Sequence, residues 1–227
     1  MNHAIALLML LAAPTVSAQD KPAEQDARSA KLMEAIKTMQ AGNPQSAVDI
    51  VTPLIADYAK FYPTDRKLLC QVEDYETAAY ATLPGGKDAV IVDGNWCVAL
   101  WAKGFALIDL QQLDAALPFL ERAVEMAPLH PHYLSELGYA YQAQKKWQLS
   151  YDLYARAAEA AKRQSGEQQK KSFRRAWFGM AFDLVELGKF DAAEALYRKC
   201  LDLYPDDEKV KDELDYLAGQ RKAKKAS

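Results

Sequence analysis

Three cysteines, three histidines and a few clustered carboxylates are the residues whose chemistry could go beyond packing in this chain. Cys70 and Cys97 flank its most irregular stretch. A bond between them would close a loop of 26 intervening residues, worth roughly 3–4 kcal/mol in the loop-entropy picture. Two separate reduced thiols are the alternative reading, and Cys200 falls at a packed position of a helical pattern. His130 and His132 are the histidines beyond the N-terminal segment. No Cys, Asp or Glu cluster stands near them at ligand spacing, so a turn pair is expected rather than a metal site. Pro84-Gly85-Gly86-Lys87 lacks the second glycine and the helix start of a phosphate-cradling loop. No serine-nucleophile motif and no C-x-x-C pair occur. Asp206 and Asp207 sit at a helix start, where carboxylates complement the helix dipole. These features point to no catalytic residues, no metal and no cofactor, and the chain is not expected to be an enzyme.

The segments that must position these residues begin with a processing signal. Ala4 to Ala13 is an unbroken apolar run, and Val16-Ser17-Ala18 ends in the small-x-small pattern of a cleavage site, so residues 1–18 read as a signal peptide. About ten apolar residues fall short of the ~20 that span a bilayer, and no later stretch is long and apolar enough. A periplasmic or secreted protein is expected. The net charge of −3 over 227 residues gives no electrostatic case for nucleic acid, whose binding needs surplus cations. Two basic runs, Arg163 to Arg175 and Arg221 to Lys225, read as solvated surface.

Internal repetition organises the remainder. A shift of 34 residues carries Gly104, Leu107, Leu113, Leu120 and Ala123 onto Gly138, Tyr141, Trp147, Tyr154 and Ala157. A shift of 43 carries Gly138, Trp147, Tyr154 and Ala157 onto Ala181, Phe190, Tyr197 and Cys200, which places a nine-residue insertion between Ala157 and Trp177. A weaker copy lies 69 residues upstream, with Ala35, Ala47, Val51 and Leu54 matching Gly104, Ala116, Leu120 and Ala123. Each copy reads as two amphipathic helices, with Gly42 and Gly188 where a helix must stop and turn. Pro128 and Pro205 follow second helices. Small residues such as Gly138 let helices approach while Leu120, Tyr154 and Tyr197 supply bulk.

The segment Trp177 to Pro205, with Gly188, Phe190, Ala193 and Tyr197 at matching places, resembles the tetratricopeptide repeat family, and the resemblance extends over about residues 29–207. Cys200 departs from the family's usual alanine. An all-α fold is implied: a right-handed superhelical array of antiparallel helix pairs, the TPR solenoid, with a C-terminal capping helix. The expected division is a flexible N-terminus at 19–28, a divergent first repeat at 29–59, and an irregular insertion at 60–96. Within that insertion a helix from about Asp74 to Leu83 precedes a β-prone Ala89 to Val92, read as an extended connection. The second and third repeats follow at 97–130 and 131–164, an insertion at 165–173, and the fourth repeat at 174–207. A capping helix at 208–220 and a basic tail at 221–227 complete the chain.

The resemblance further implies that first helices line a concave groove, here through Leu32, Ile36, Trp101, Phe105, Ile108, Tyr139, Gln142, Phe178, Phe182 and Val185. Members that grip an acidic peptide terminus place Lys, Arg and Asn there. This chain has Trp101, Phe105, Ser135 and Tyr139, which disfavours that clamp. The implied function is a non-catalytic scaffold or adaptor in the cell envelope. Its partner would be another protein, presented as an apolar helix or extended peptide held by aromatic anchors. Occupation of the groove by the chain itself, and a homo-oligomer, are competing readings. So is a ligand-binding or enzymatic site in 60–96 with the repeats as a dimerisation platform.

Overall fold

The structure, a computed structural model, describes residues 22–62 and 64–226; the expected signal peptide at 1–18 lies outside them. Four helix pairs follow one another: α1 (Pro22–Gln40) with α2 (Pro44–Phe61), α4 (Gly94–Asp109) with α5 (Leu113–Met126), α6 (Pro131–Ala143) with α7 (Trp147–Ala161), and α8 (Gly166–Glu186) with α9 (Phe190–Leu203). Between the first two pairs lie β1 (Leu68–Gln71), α3 (Glu76–Tyr80) and β2 (Val90–Asp93), and α10 (Glu208–Ala226) closes the array. The first helices α1, α4, α6 and α8 touch in succession and form one row.

The turn inside each pair shows the repeat in its backbone. Gly42, Gln111, Lys145 and Gly188 have φ of +80°, +60°, +58° and +71°, and they are related by the same three sequence shifts that align the side chains. In all four turns this residue's N–H bonds back three residues and the next residue's N–H bonds back five. Gly188 to Val185 at 2.9 Å and Lys189 to Leu184 at 2.8 Å show the pattern, the paired arrangement that satisfies the last carbonyls of a helix. Within the pairs, small residues admit large ones. A Cβ on Gly104 would stand 2.6 Å from Leu120, and one on Gly138 would stand 3.1 Å from the Tyr154 ring.

Several boundaries differ from expectation. The first helix starts at Pro22 rather than near residue 29: proline suits a first helical turn, and AEQDARSA holds no breaker. The 165–173 stretch is helical from Gly166 onward, since the seven residues that follow Gly166 hold no glycine or proline, and the added length amounts to about two turns. Helix α10 runs on through the expected basic tail, where Arg221 bonds Glu194 at 2.6 Å and Asp191 at 2.5 Å on α9.

The 60–96 insertion is more ordered than expected. Its helix is shorter, Glu76–Tyr80, and the β-prone run is a strand pairing in parallel with Leu68–Gln71 in the register Leu68↔Val90 to Gln71↔Asp93. The β1 strand has no counterpart in the sequence reading, because a four-residue run carries too little periodicity to identify. Cys70 on β1 is disulfide-bonded to Cys97 on α4, with an S–S distance of 2.07 Å. The chain passes from β2 straight into α4, where a side chain on Gly94 would collide with the Gln71 carbonyl at 2.2 Å. Asp93 caps α4 by accepting from the Asn95 N–H at 2.9 Å.

Candidate protein-binding face

The row of first helices presents a cavity of about 330 Å³. Phe105 and Ile108 reach it from α4, three residues apart and so on one helical face; Asp109 stands beside them. Ser135, Glu136 and Tyr139 come from α6, Arg175 from α8 and Tyr154 from α7. Tyr139 is 51 % exposed, a large ring left in water at the edge of a concavity.

The other expected groove residues pack within a repeat or between neighbouring repeats. Leu32 is 4 % exposed and belongs to the core, with Ile36 packed against it. Trp101 is half-buried, its ring 5.8 Å from Phe105, 5.0 Å from His132 and 6.4 Å from Tyr133. The Gln142 amide donates to the Gly179 carbonyl and to Asp183 Oδ1, both at 3.1 Å, tying α6 to α8. Phe178 meets the buried Tyr197 edge-on at 5.5 Å, and Phe182 meets Trp147 at 6.1 Å. Val185 packs on the same satellite core as Phe178. Phe105, Ile108 and Tyr139 are thus brought together, whereas Leu32, Gln142, Phe178 and Val185 are engaged inside the array.

The cavity also holds charges that sequence spacing did not reveal. Arg175 Nη1 donates to Glu136 Oε1 and contacts His132 Nδ1 at 3.0 Å. Glu136 and Arg175 lie 39 positions apart on different repeats, so no local pattern links them. Burial raises the Glu136 carboxyl above its usual range, and Arg175 opposes that shift. Burial lowers His132 to about 3, with Arg175 and His130 adding to the effect, and lowers His130 to about 4. Both imidazoles are therefore neutral at ordinary pH. His130 stacks on Tyr133 at 4.0 Å and His132 lies against Trp101, and a single carboxylate is near the pair, with Glu136 Oε1 at 3.8 Å from His132 Nδ1. Among the described residues no three His, Cys, Asp or Glu converge as a metal site, and no described helix is long and apolar enough to cross a membrane.

A second cavity, of about 710 Å³, separates the insertion from α5 and is lined by Arg66, Lys67, Leu83, Pro84 and Arg122, among others. Its cations are engaged internally. Arg66 donates to the Asp88 carbonyl at 2.6 and 3.0 Å, Lys67 to the Pro84 carbonyl at 3.2 Å, and Arg122 pairs with Glu125. Inside the insertion, Glu76 is fully buried and accepts the N–H groups of Val72 and Glu73 at 2.7 and 2.9 Å. The Tyr80 hydroxyl donates to the Cys70 carbonyl at 2.8 Å.

Sequence profiles described as tetratricopeptide repeat match residues 98–128 and 129–206. No curated protein matches the chain. Among solved structures, the fold is similar to that of Pseudomonas aeruginosa pilF, with a TM-score of 0.63 at 13% identity over 89% of this chain and 72% of that one. It is similar to MamA, residues 41 to the end, from Desulfovibrio magneticus RS-1, with a TM-score of 0.59 at 14% identity over 88% and 89%. It is also similar to the first TPR of Spaghetti (RPAP3) bound to the HSP90 peptide SRMEEVD, with a TM-score of 0.50 at 19% identity over 57% and 95%. At such identities the likeness is one of fold. Joined to four helix pairs in common register with the same turn in each, the profile matches establish that this chain belongs to the tetratricopeptide repeat family.

Proposed function

We propose that this protein is a non-catalytic scaffold, exported from the cytoplasm, whose row of first helices takes an apolar segment of a partner protein at the cavity formed by Phe105, Ile108 and Tyr139. The observation that carries the reading is that cavity, with a tyrosine half in water at its rim. Exposed rings in a concavity are the usual anchors of binding energy, and the Spaghetti (RPAP3) repeats hold a peptide. Against catalysis, the buried carboxylates of Glu76 and Glu136 are engaged by backbone N–H groups and by Arg175. Export is supported by the apolar run at Ala4 to Ala13 and by the Cys70–Cys97 bond, since structural disulfides belong to oxidising compartments.

Selection of displayed random peptides on the chain tests the groove. Enriched peptides should lose about tenfold or more in affinity for Tyr139→Ser and Phe105→Ala, about 1.4 kcal/mol or more, and keep it for Leu149→Ser. Leu149 is 52 % exposed on α7, away from the row. Equal losses at all three sites, or no enriched peptide, would overturn the reading. Export is tested by fusing residues 1–30 to a reporter enzyme that folds only where disulfides form; an inactive fusion counts against it.

A further inference from the structure

Beside the apolar cavity lies a smaller pocket of about 170 Å³, lined by Pro131, His132, Ser135, Gln168, Lys171, Ser172 and Arg175. It shares Ser135 and Arg175 with its neighbour. We propose that this pocket seats a single carboxylate of the partner segment whose apolar side chain fills the Phe105–Tyr139 cavity. The proposal rests on the groove reading above and adds the chemistry of the ligand.

Three observations carry it. The first is that the polar groups lining the pocket are mostly donors. Arg175 can only donate, so His132 Nδ1 must accept from it at 3.0 Å, and the single proton of the neutral ring then sits on Nε2. Lys171 supplies an ammonium with no partner among the described residues. Arg175 keeps its Nε and Nη2 donors, since only Nη1 is engaged. Gln168 and Ser172 add an amide and a hydroxyl. Ser135 donates to the Pro131 carbonyl at 2.9 Å, which removes that acceptor from the pocket.

The second observation is charge. Glu136 neutralises Arg175, leaving one uncompensated cation, Lys171, while Asp109 and Glu136 line the adjoining cavity. A monoanion fits that balance, whereas a dianion such as phosphate carries one charge too many. The third is origin. Gln168, Lys171 and Ser172 all belong to the inserted 165–173 stretch, which lengthens α8 past the repeat boundary and carries these residues across the start of α6. The pocket thus forms where this chain's own insertion meets Pro131, His132, Ser135 and Arg175 of the repeats.

N-acetylphenylalanine and its amide, which differ only in the carboxylate, test the assignment when titrated into the full chain and followed by NMR shifts. The acid is expected to bind about tenfold or more tightly than the amide, moving signals of Lys171, His132 and Tyr139. Lys171→Glu should abolish the preference, as should the charge-neutral Lys171→Gln, with thermal stability unchanged. Equal binding of acid and amide, both lost in Phe105→Ala, would overturn the carboxylate pocket and leave the groove reading standing. Acid binding that needs Lys171 but neither Phe105 nor Tyr139 would support the pocket and sink the groove. Binding that ignores Lys171, no binding of either compound, or tighter binding of inorganic phosphate would overturn the proposal.

Discussion

Buried single residues set this protein's response to pH and to added volume. Burial lifts the Glu76 carboxyl from 4.5 to about 7, against the pull of two backbone N–H groups. The folded state therefore holds this proton more tightly than the unfolded chain. The stabilisation is complete below about 4.5 and is lost as pH rises through about 7. Glu76→Gln should flatten the difference in melting temperature between pH 5 and pH 8, a change of roughly 2–3 kcal/mol at most. An unchanged difference would show that Glu76 does not hold the proton. Among the glycines of the described residues, the tightest approach between two helices lies at Gly179, where a Cβ would stand 2.3 Å from the Tyr154 ring. Gly179→Ala should destabilise by about 1–3 kcal/mol, and the effect should shrink in a Tyr154→Leu background; denaturant melts of the four variants measure the coupling. The role of Tyr154 as a filler against Gly138 was legible from the repeat register. Its second contact at Gly179 was not, because it joins one repeat to the next, and periodicity within a repeat says nothing about that distance.

At the scale of elements, the four intra-repeat turns share one backbone shape but not one residue. Gln111 and Lys145 occupy the left-handed region, where a side chain costs about 1 kcal/mol or more relative to glycine. Both are exposed and neither side chain bonds anything among the described residues. Gln111→Gly and Lys145→Gly should each stabilise by roughly 0.5–1 kcal/mol, offset in part by the greater freedom of the unfolded chain. Gly188→Ala, at +71°, should destabilise. Urea midpoints check all three, and stabilisation by Gly188→Ala would contradict the shared-turn account. The sequence marked Gly42 and Gly188 as stops because glycine announces itself. The equivalent Gln111 and Lys145 were visible only through register, since tertiary packing of both flanking helices overrides the local preference.

For the whole molecule, each repeat touches chiefly its neighbours, so stability is nearly a sum along the array. The insertion departs from this, because the Cys70–Cys97 bond fastens β1 to α4 across 27 positions. Replacing both cysteines by serine should lower stability by at most about 3–4 kcal/mol. Far-ultraviolet helicity should persist while amides of Leu68–Gln71 and Val90–Asp93 exchange faster, and hydrogen exchange that rose uniformly through α6 to α9 would contradict so local a role. Cys200 cannot readily substitute as a partner. It is fully buried, its Sγ contacts the Arg174 carbonyl at 3.6 Å, and burial pushes its thiol up to about 12, which suppresses the reactive thiolate.

Side-chain periodicity alone determined the helix pairs, their register, the capping helix and the packed place of Cys200. These depend on contacts within about forty residues, where the spacing of apolar positions is itself the physical cause of the structure. Tertiary structure decided what those helices do at their surface. Which aromatics face water, that Glu136 meets Arg175 across repeats, that four residues around Cys70 form a strand, and that an inserted stretch becomes helix beside the groove all depend on groups far apart in the chain. Their meeting follows from the angle at which one repeat stacks on the next, and no residue type or spacing encodes that angle locally.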